Sequence, residues 1–153
     1  MSNEPKKIRK VERRLDDLYA ELPTVDCKGY CARACGPIRM TNAEWRRITE
    51  ATEVTPAIDE NLQCTLLTKE GRCSVYEIRP MVCRLFGVSI GIECPWGCKP
   101  SRLLSHEEGK RFLEKAHKID GRKPTVATGF ATEEQVAAVR LRRSLISKII
   151  DGG

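Results

Sequence analysis

The stretch GRCSVYEIRPMVCRLF, residues 71–86, decides how the middle of the chain is organised, because it combines two cysteines with an Arg-Pro pair. Pro80 suits the first turn of a helix that carries Cys83 and Phe86. The CSVYEI segment before it, residues 73–78, is predicted to be extended. The stretch therefore predicts an extended segment that leads into a short helix with a cysteine on it.

All eight cysteines lie between residues 27 and 98, and the flanking segments contain none. Scattered core thiols would not be confined in this way. A disulfide framework suits an even count, but it needs an oxidising compartment, and the charged N-terminus has no apolar export segment. Metal chelation explains the clustering best, because thiolates are soft ligands for zinc and for iron–sulfur clusters. The predicted metal ligands are Cys27, Cys31, Cys35, Cys64, Cys73, Cys83, Cys94 and Cys98.

The spacing of these cysteines does not identify the metal. It contains no C-x2-C pair of the zinc-finger kind and no regular ferredoxin run. The all-cysteine ligand set favours an iron–sulfur cluster over Zn²⁺, and His106 and His117 are expected to be solvated surface residues. Eight thiolates suffice for two four-ligand sites, or for one site beside reactive or structural thiols.

The composition predicts one soluble domain with a modest apolar core. The chain has 153 residues, of which 5% are aromatic and 31% charged, and its mean hydropathy is −0.40. Structural zinc contributes on the order of 10–16 kcal/mol in peptides, which would offset a thin core. No run approaches the ~20 apolar residues of a membrane helix, so no membrane partner is expected. Because no export segment is visible, the expected location is the cytoplasm.

The net charge is +6, from 27 Lys and Arg residues against 21 Asp and Glu residues, and the excess lies largely at the two ends. Such runs permit a weak attraction to nucleic acid, but most basic runs are solvated helix faces. Charge alone therefore does not predict nucleic-acid binding, which stays an alternative. The sequence does not identify a protein partner.

Helix signals divide the chain into three parts. Residues 1–25 hold an amphipathic N-terminal helix, residues 26–102 the cysteine-cluster core, and residues 103–153 two helices that pack on the core. Capping boxes mark helix starts at residues 41–44, 105–108 and 132–135. The predicted fold class is mainly α with irregular cysteine-rich loops: a small metal-stabilised domain framed by amphipathic helices.

The longer stretch CTLLTKEGRCSVYEIRPMVCRLF, residues 64–86, resembles one hallmark of a family of small bacterial cysteine-cluster proteins. The family is named after a CxxCxxCC motif and described as zinc- or iron-chelating domains. The match runs through the cysteines, a Val-Tyr pair, the Arg-Pro pair and a Cys-Arg pair. The other hallmark differs, because C-x3-C-x3-C stands where the family name implies a tighter run. The resemblance covers roughly residues 27–100.

The resemblance implies metal chelation by the cysteines, with a redox, sensing or structural role. It also implies cofactor-binding roles for Tyr76, Arg79 and Arg84. The two arginines flank Cys83 and would neutralise a thiolate–metal site, or pair with a carboxylate such as that of Glu77. The ring of Tyr76 would pack over the site.

Two alternatives stay open. One is a zinc-stabilised adaptor that binds nucleic acid or protein through its basic helices. The other is an oxidoreductase or a protein-modifying enzyme, since the family includes relatives of flagellin lysine methylase. The chain shows no glycine-rich loop for S-adenosylmethionine, so the sequence leaves open whether the protein is an enzyme.

Overall fold

The computed structural model describes residues 3–27, 40–54, 63–94 and 97–120, together with Ala137 and Leu141. These ranges contain four α-helices and one short 3-10 helix, and their only β-pairings are isolated bridges. The helices are α1 (Glu4–Ala20), α2 (Asn42–Thr52), α3 (Met81–Leu85) and α4 (His106–Asp120), with the 3-10 helix at Tyr76–Ile78. The predicted fold class, mainly α with irregular cysteine-rich loops, is confirmed.

The N-terminal helix α1 follows the predicted amphipathic pattern. It begins with Pro5 in its first turn, and its apolar stripe buries Leu15, Leu18 and Tyr19. Residues at helical spacing share one face, so burial of this stripe is what fixes α1 on the rest of the molecule. No helix among the described residues combines the length and the apolar character needed to cross a bilayer.

Capping boxes begin α2 and α4, as the sequence predicts. The Thr41 hydroxyl accepts a hydrogen bond from the Glu44 amide (3.1 Å), and the Thr41 amide donates to the Glu44 carboxylate (2.9 Å). Ser105 and Glu108 make the same exchange at 2.8 and 3.1 Å. The third predicted capping box, residues 132–135, lies outside the described residues.

The prediction that residues 73–78 are extended is wrong. Only Cys73 takes part in a bridge, and the chain then turns into the 3-10 helix Tyr76–Ile78. The amide of Ile78 donates to the carbonyl of Val75 at 2.9 Å. The Ser74 amide still donates across the hairpin to the Leu66 carbonyl at 2.9 Å, whereas the Ile78 and Arg79 amides donate to carbonyls three residues back.

Two apolar clusters form the core of the described residues. In the first, α1 packs against α2 and α4, and α3 packs against α4. Its buried members are Leu15, Leu18, Tyr19, Ala43, Met81, Leu85, Val88, Leu104 and Ala116. The second joins α2 to the cysteine-rich segment, and its buried members are Met40, Ile48, Cys64, Leu66 and Val75.

Gly109 allows α4 to approach the buried Ser89 closely. A Cβ atom on Gly109 would lie 2.6 Å from Ser89 Oγ, well inside normal contact. We expect Gly109→Ala to lower the free energy of unfolding by about 1 kcal/mol, because overpacking outweighs the gain in helix propensity. Urea unfolding measures this loss.

The double variant Gly109→Ala, Ser89→Ala provides the control. It removes the oxygen that the new methyl group meets, so its stability should equal or exceed that of Ser89→Ala alone. A Gly109→Ala protein at least as stable as the wild type would contradict the close approach.

Candidate metal centre

Two of the predicted ligands lie on one short hairpin, residues 64–74, called the cysteine hairpin below. Leu67 and Cys73 form an antiparallel bridge across it. Gly71 has φ of 77°, a left-handed conformation that glycine adopts without strain, and it closes the turn. Cys64 is buried and Cys73 is half-buried, and both contact the second apolar cluster. The hairpin thus presents two thiols in apolar surroundings.

The third thiol of this region, that of Cys83, lies in α3. Pro80 precedes the helix, and its carbonyl accepts a hydrogen bond from the Cys83 amide at 3.0 Å. The Met81 amide donates to the buried carboxylate of Glu44 at 2.8 Å, which ties the start of α3 to α2. Proline and the Glu44 carboxylate together set where the Cys83 side chain lies.

Electrostatics place these three thiols in one neighbourhood. Burial raises the pKa of Cys83, and the neighbouring Cys64 and Cys73 raise it further. Burial also raises the pKa of Cys73, while the guanidinium of Arg79 lowers the pKa of both Cys73 and Cys83. Cys64, Cys73 and Cys83 therefore act on one another across a partly dry region that also contains one positive charge.

The described residues contain no three Cys, His, Asp or Glu side chains that are already placed to hold a metal ion. The donor chemistry of the Cys64, Cys73 and Cys83 group nevertheless fits zinc or iron, because both bind thiolate sulfur. A metal would have to draw the three sulfurs together and displace their protons, as is usual when binding and folding are coupled.

The other predicted ligands lie elsewhere or outside the described residues. Cys94 packs against Gly87, just after α3, where a Cβ on Gly87 would lie 3.8 Å from the Cys94 Cβ. Cys27 is exposed and Cys98 is buried. Cys31 and Cys35 lie outside the described residues. Of the eight predicted ligands, Cys64, Cys73 and Cys83 therefore lie within electrostatic range of one another, short of a formed ligand set.

Arg79 and Tyr76 contact each other at the edge of this group. The Arg79 guanidinium lies 3.9 Å from the centroid of the Tyr76 ring, and its Nε donates to the Tyr76 carbonyl at 3.0 Å. Tyr76 is 39% exposed, so this stacked pair lies at the protein surface. This stacking holds the positive charge of Arg79 within electrostatic range of Cys73 and Cys83.

Arg84 makes a different set of contacts. Its Nε donates to the Arg79 carbonyl and its Nη2 donates to the Glu77 carbonyl, each at 2.7 Å. Its guanidinium lies 3.9 Å from the centroid of the Tyr19 ring. Arg84 therefore binds the main chain of Glu77, not its carboxylate, and fixes the turn before α3 against α1.

Glu44 connects three helices, whereas the sequence predicts only its role in the capping box of α2. Its side chain is buried, and one carboxylate oxygen accepts hydrogen bonds from the Tyr19 hydroxyl (2.7 Å) and from the Met81 amide (2.8 Å). The other oxygen accepts from the Thr41 amide. One carboxylate thus joins α1, α2 and α3 next to the thiols. The sequence gives one sign of this role: Tyr19 lies on the apolar stripe of α1, and a tyrosine hydroxyl that is buried needs a hydrogen-bond partner.

The buried phenol of Tyr19 should make the protein less stable at alkaline pH. Burial raises the pKa of Tyr19 above its ordinary value of 10.0, and the nearby Glu44 carboxylate raises it further. The unfolded chain loses the phenol proton near pH 10 whereas the folded chain keeps it, so this contribution is complete below that pH and is lost above it. Above about pH 10 we expect the free energy of unfolding of the wild type to fall with rising pH more steeply than that of Tyr19→Phe. The difference in slope should be roughly 1.4 kcal/mol per pH unit.

Chemical denaturation at several alkaline pH values measures this difference. Tyr76→Phe is the matched control, because the exposed ring of Tyr76 leaves its hydroxyl outside the Glu44 network. Parallel pH profiles for the wild type and Tyr19→Phe would show that the buried phenol carries no such linkage.

The comparison with protein families identifies the chain. A family model described as "Putative zinc- or iron-chelating domain" matches residues 26–119. The chain belongs to the CxxCxxCC family. No curated protein and no solved structure matches it. The resemblance expected from the cysteine hairpin and the Arg-Pro stretch is therefore confirmed.

The CxxCxxCC match covers more of the chain than the cysteines. It begins one residue before Cys27 and ends in the last turn of α4. The helix α4, which packs on α1 and α3, thus falls inside the family domain. Membership in the CxxCxxCC family supports metal binding through cysteines.

Proposed function

We propose that the protein holds a thiolate-ligated metal centre, an iron–sulfur cluster before zinc, with Cys64, Cys73 and Cys83 as the core of its ligand set. The observation that supports the proposal is that Cys64 and Cys73 of the cysteine hairpin lie within electrostatic range of Cys83 on α3, in a partly buried region. Cys94, which lies against Gly87 two residues after the end of α3, is the fourth ligand in this proposal.

The all-thiolate ligand set is the reason for placing an iron–sulfur cluster first. Iron–sulfur clusters are held by four cysteine thiolates, and positive charge and dry surroundings tune their potential. Arg79 supplies positive charge near Cys73 and Cys83, and the second apolar cluster supplies the dry surroundings. When bound, such a cluster would supply one-electron chemistry.

The centre would also hold the fold together. Cys64 and Cys73 belong to the cysteine hairpin, whereas Cys83 belongs to α3, whose start is tied to α2 through Glu44. A shared metal therefore links the hairpin to the helical core. The proposed role is a redox or sensing centre whose loss loosens this part of the molecule.

Purification without oxygen, followed by elemental analysis and visible absorption spectroscopy, tests the proposal. We expect a coloured protein with iron and acid-labile sulfide in stoichiometric amounts, and bleaching of the colour on exposure to air. A colourless protein with one equivalent of zinc would overturn the iron–sulfur assignment while keeping the ligand set. A protein with neither metal, after growth with both supplied, would overturn the proposal as a whole.

A further inference from the structure

Two cysteines outside the proposed centre lie on chain segments that run side by side. Val25 and Pro100 form an antiparallel bridge, and the Ser101 amide donates to the Thr24 carbonyl at 2.7 Å. In an antiparallel pair, two residues forward on one strand face two residues back on the other. Continued two residues beyond this isolated bridge, the same register would set Cys27 opposite Cys98.

Burial alternates along residues 98–100, as it does on a strand. Cys98 is buried and Pro100 half-buried, whereas Lys99 between them is exposed. On the opposite segment Val25 is half-buried and packs on the first core cluster, whereas Asp26 is exposed. Side chains two apart on a strand share a face, so an extended chain would direct Cys27 to the same side as Val25, with Cys27 exposed at the end of the paired segment.

Val25 and Pro100 form the narrow type of antiparallel pair, because the hydrogen bond runs between the residues that flank them. On the continued register, Cys27 and Cys98 would fall in the same type of pair. Cα atoms in such a pair lie about 4.5 Å apart, within the range that a disulfide spans. Cys27 is exposed, so a dissolved oxidant reaches one sulfur of the pair directly.

We propose that Cys27 and Cys98 form a reversible redox pair, oxidised to a disulfide by small disulfides of the glutathione class. The exposed Cys27 sulfur attacks the small disulfide, forms a mixed disulfide and releases one small thiol. Cys98 then attacks the Cys27 sulfur and releases the second small thiol. The protein loses two electrons and two protons, and these reduce one small disulfide to two small thiols.

The test treats the folded, reduced protein with oxidised glutathione and maps the products by trypsin digestion without reduction. The peptide of residues 15–28 contains Cys27, and the peptide of residues 85–102 contains Cys98, because trypsin does not cleave between Lys99 and Pro100. We expect these two peptides to be joined, with fragmentation assigning the bond to Cys98. Dithiothreitol should separate them again.

Single variants test the order of the steps. Cys98→Ser should leave a stable glutathione adduct on Cys27, because the second thiol is missing, and Cys27→Ser should leave Cys98 unmodified, because it is buried. Separate peptides in the treated wild type, or a bond from Cys27 to Cys31, Cys35 or Cys94, would overturn the pairing. Cys83→Ser should still form the bond, so this result is independent of the proposed metal centre.

Discussion

Replacing Cys83 with serine should remove the metal from the purified protein, whereas replacing Cys98 should leave it bound. Four ligands of structural zinc contribute roughly 10–16 kcal/mol, so one thiolate contributes about 3 kcal/mol, or roughly a hundredfold in affinity. Cys83 lies within electrostatic range of both Cys64 and Cys73, so its loss removes one of the three central thiolates of the proposed centre. Metal content per chain after gel filtration, and competition with a coloured chelator, measure the loss.

Cys98→Ser is the matched control for this experiment. Cys98 is buried like Cys64, so its replacement disturbs a core position to a similar degree, but it is not one of the thiols that act on Cys83. Equal metal loss in the two variants would mean that Cys83 and Cys98 contribute equally to metal binding, which would contradict the proposed ligand set. Full retention of metal in Cys83→Ser would remove this residue from the centre.

Replacing Glu44 with alanine should lower the free energy of unfolding by about 3–5 kcal/mol. The variant strands three buried donors at once: the Tyr19 hydroxyl and the amides of Thr41 and Met81. Glu44→Gln should cost less, about 1–3 kcal/mol, because the amide oxygen still accepts two of these bonds while its NH2 group faces the Thr41 amide. Urea unfolding of both variants measures the two losses.

Glu50→Ala is the control for these variants, since Glu50 is exposed on the same helix α2. Its stability should stay within about 0.5 kcal/mol of the wild type. If the free energy of unfolding of Glu44→Ala lay within about 1 kcal/mol of the wild-type value, the carboxylate would not connect α1, α2 and α3 as its hydrogen bonds indicate.

The parts of the fold that the sequence predicts correctly are those fixed by neighbouring residues. The capping boxes at Thr41 and Ser105 need only a hydroxyl and a carboxylate three residues apart. The apolar stripe of α1 likewise follows from helical spacing alone. Such features do not depend on where the rest of the chain lies.

The remaining features depend on contacts between distant residues, which spacing does not encode. The sequence predicts the capping bond of Glu44 but not its bonds to Tyr19 and Met81, because those need α1 and α3 to dock. In the same way, the sequence shows that the cysteines are clustered along the chain, but it does not show which of them lie near one another. Grouping Cys83 with the cysteine hairpin required the fold.

The cysteine hairpin has a consequence for the order in which the molecule assembles. A short loop loses little entropy when it closes, and the hairpin needs no distant partner for its bridge. The ribosome makes α1 first, yet α1 packs on α2 and on α4, which comes late in the chain. The hairpin can therefore close before the helices dock, and a metal captured by its two sulfurs would act as the nucleus on which α3 and then the outer helices condense.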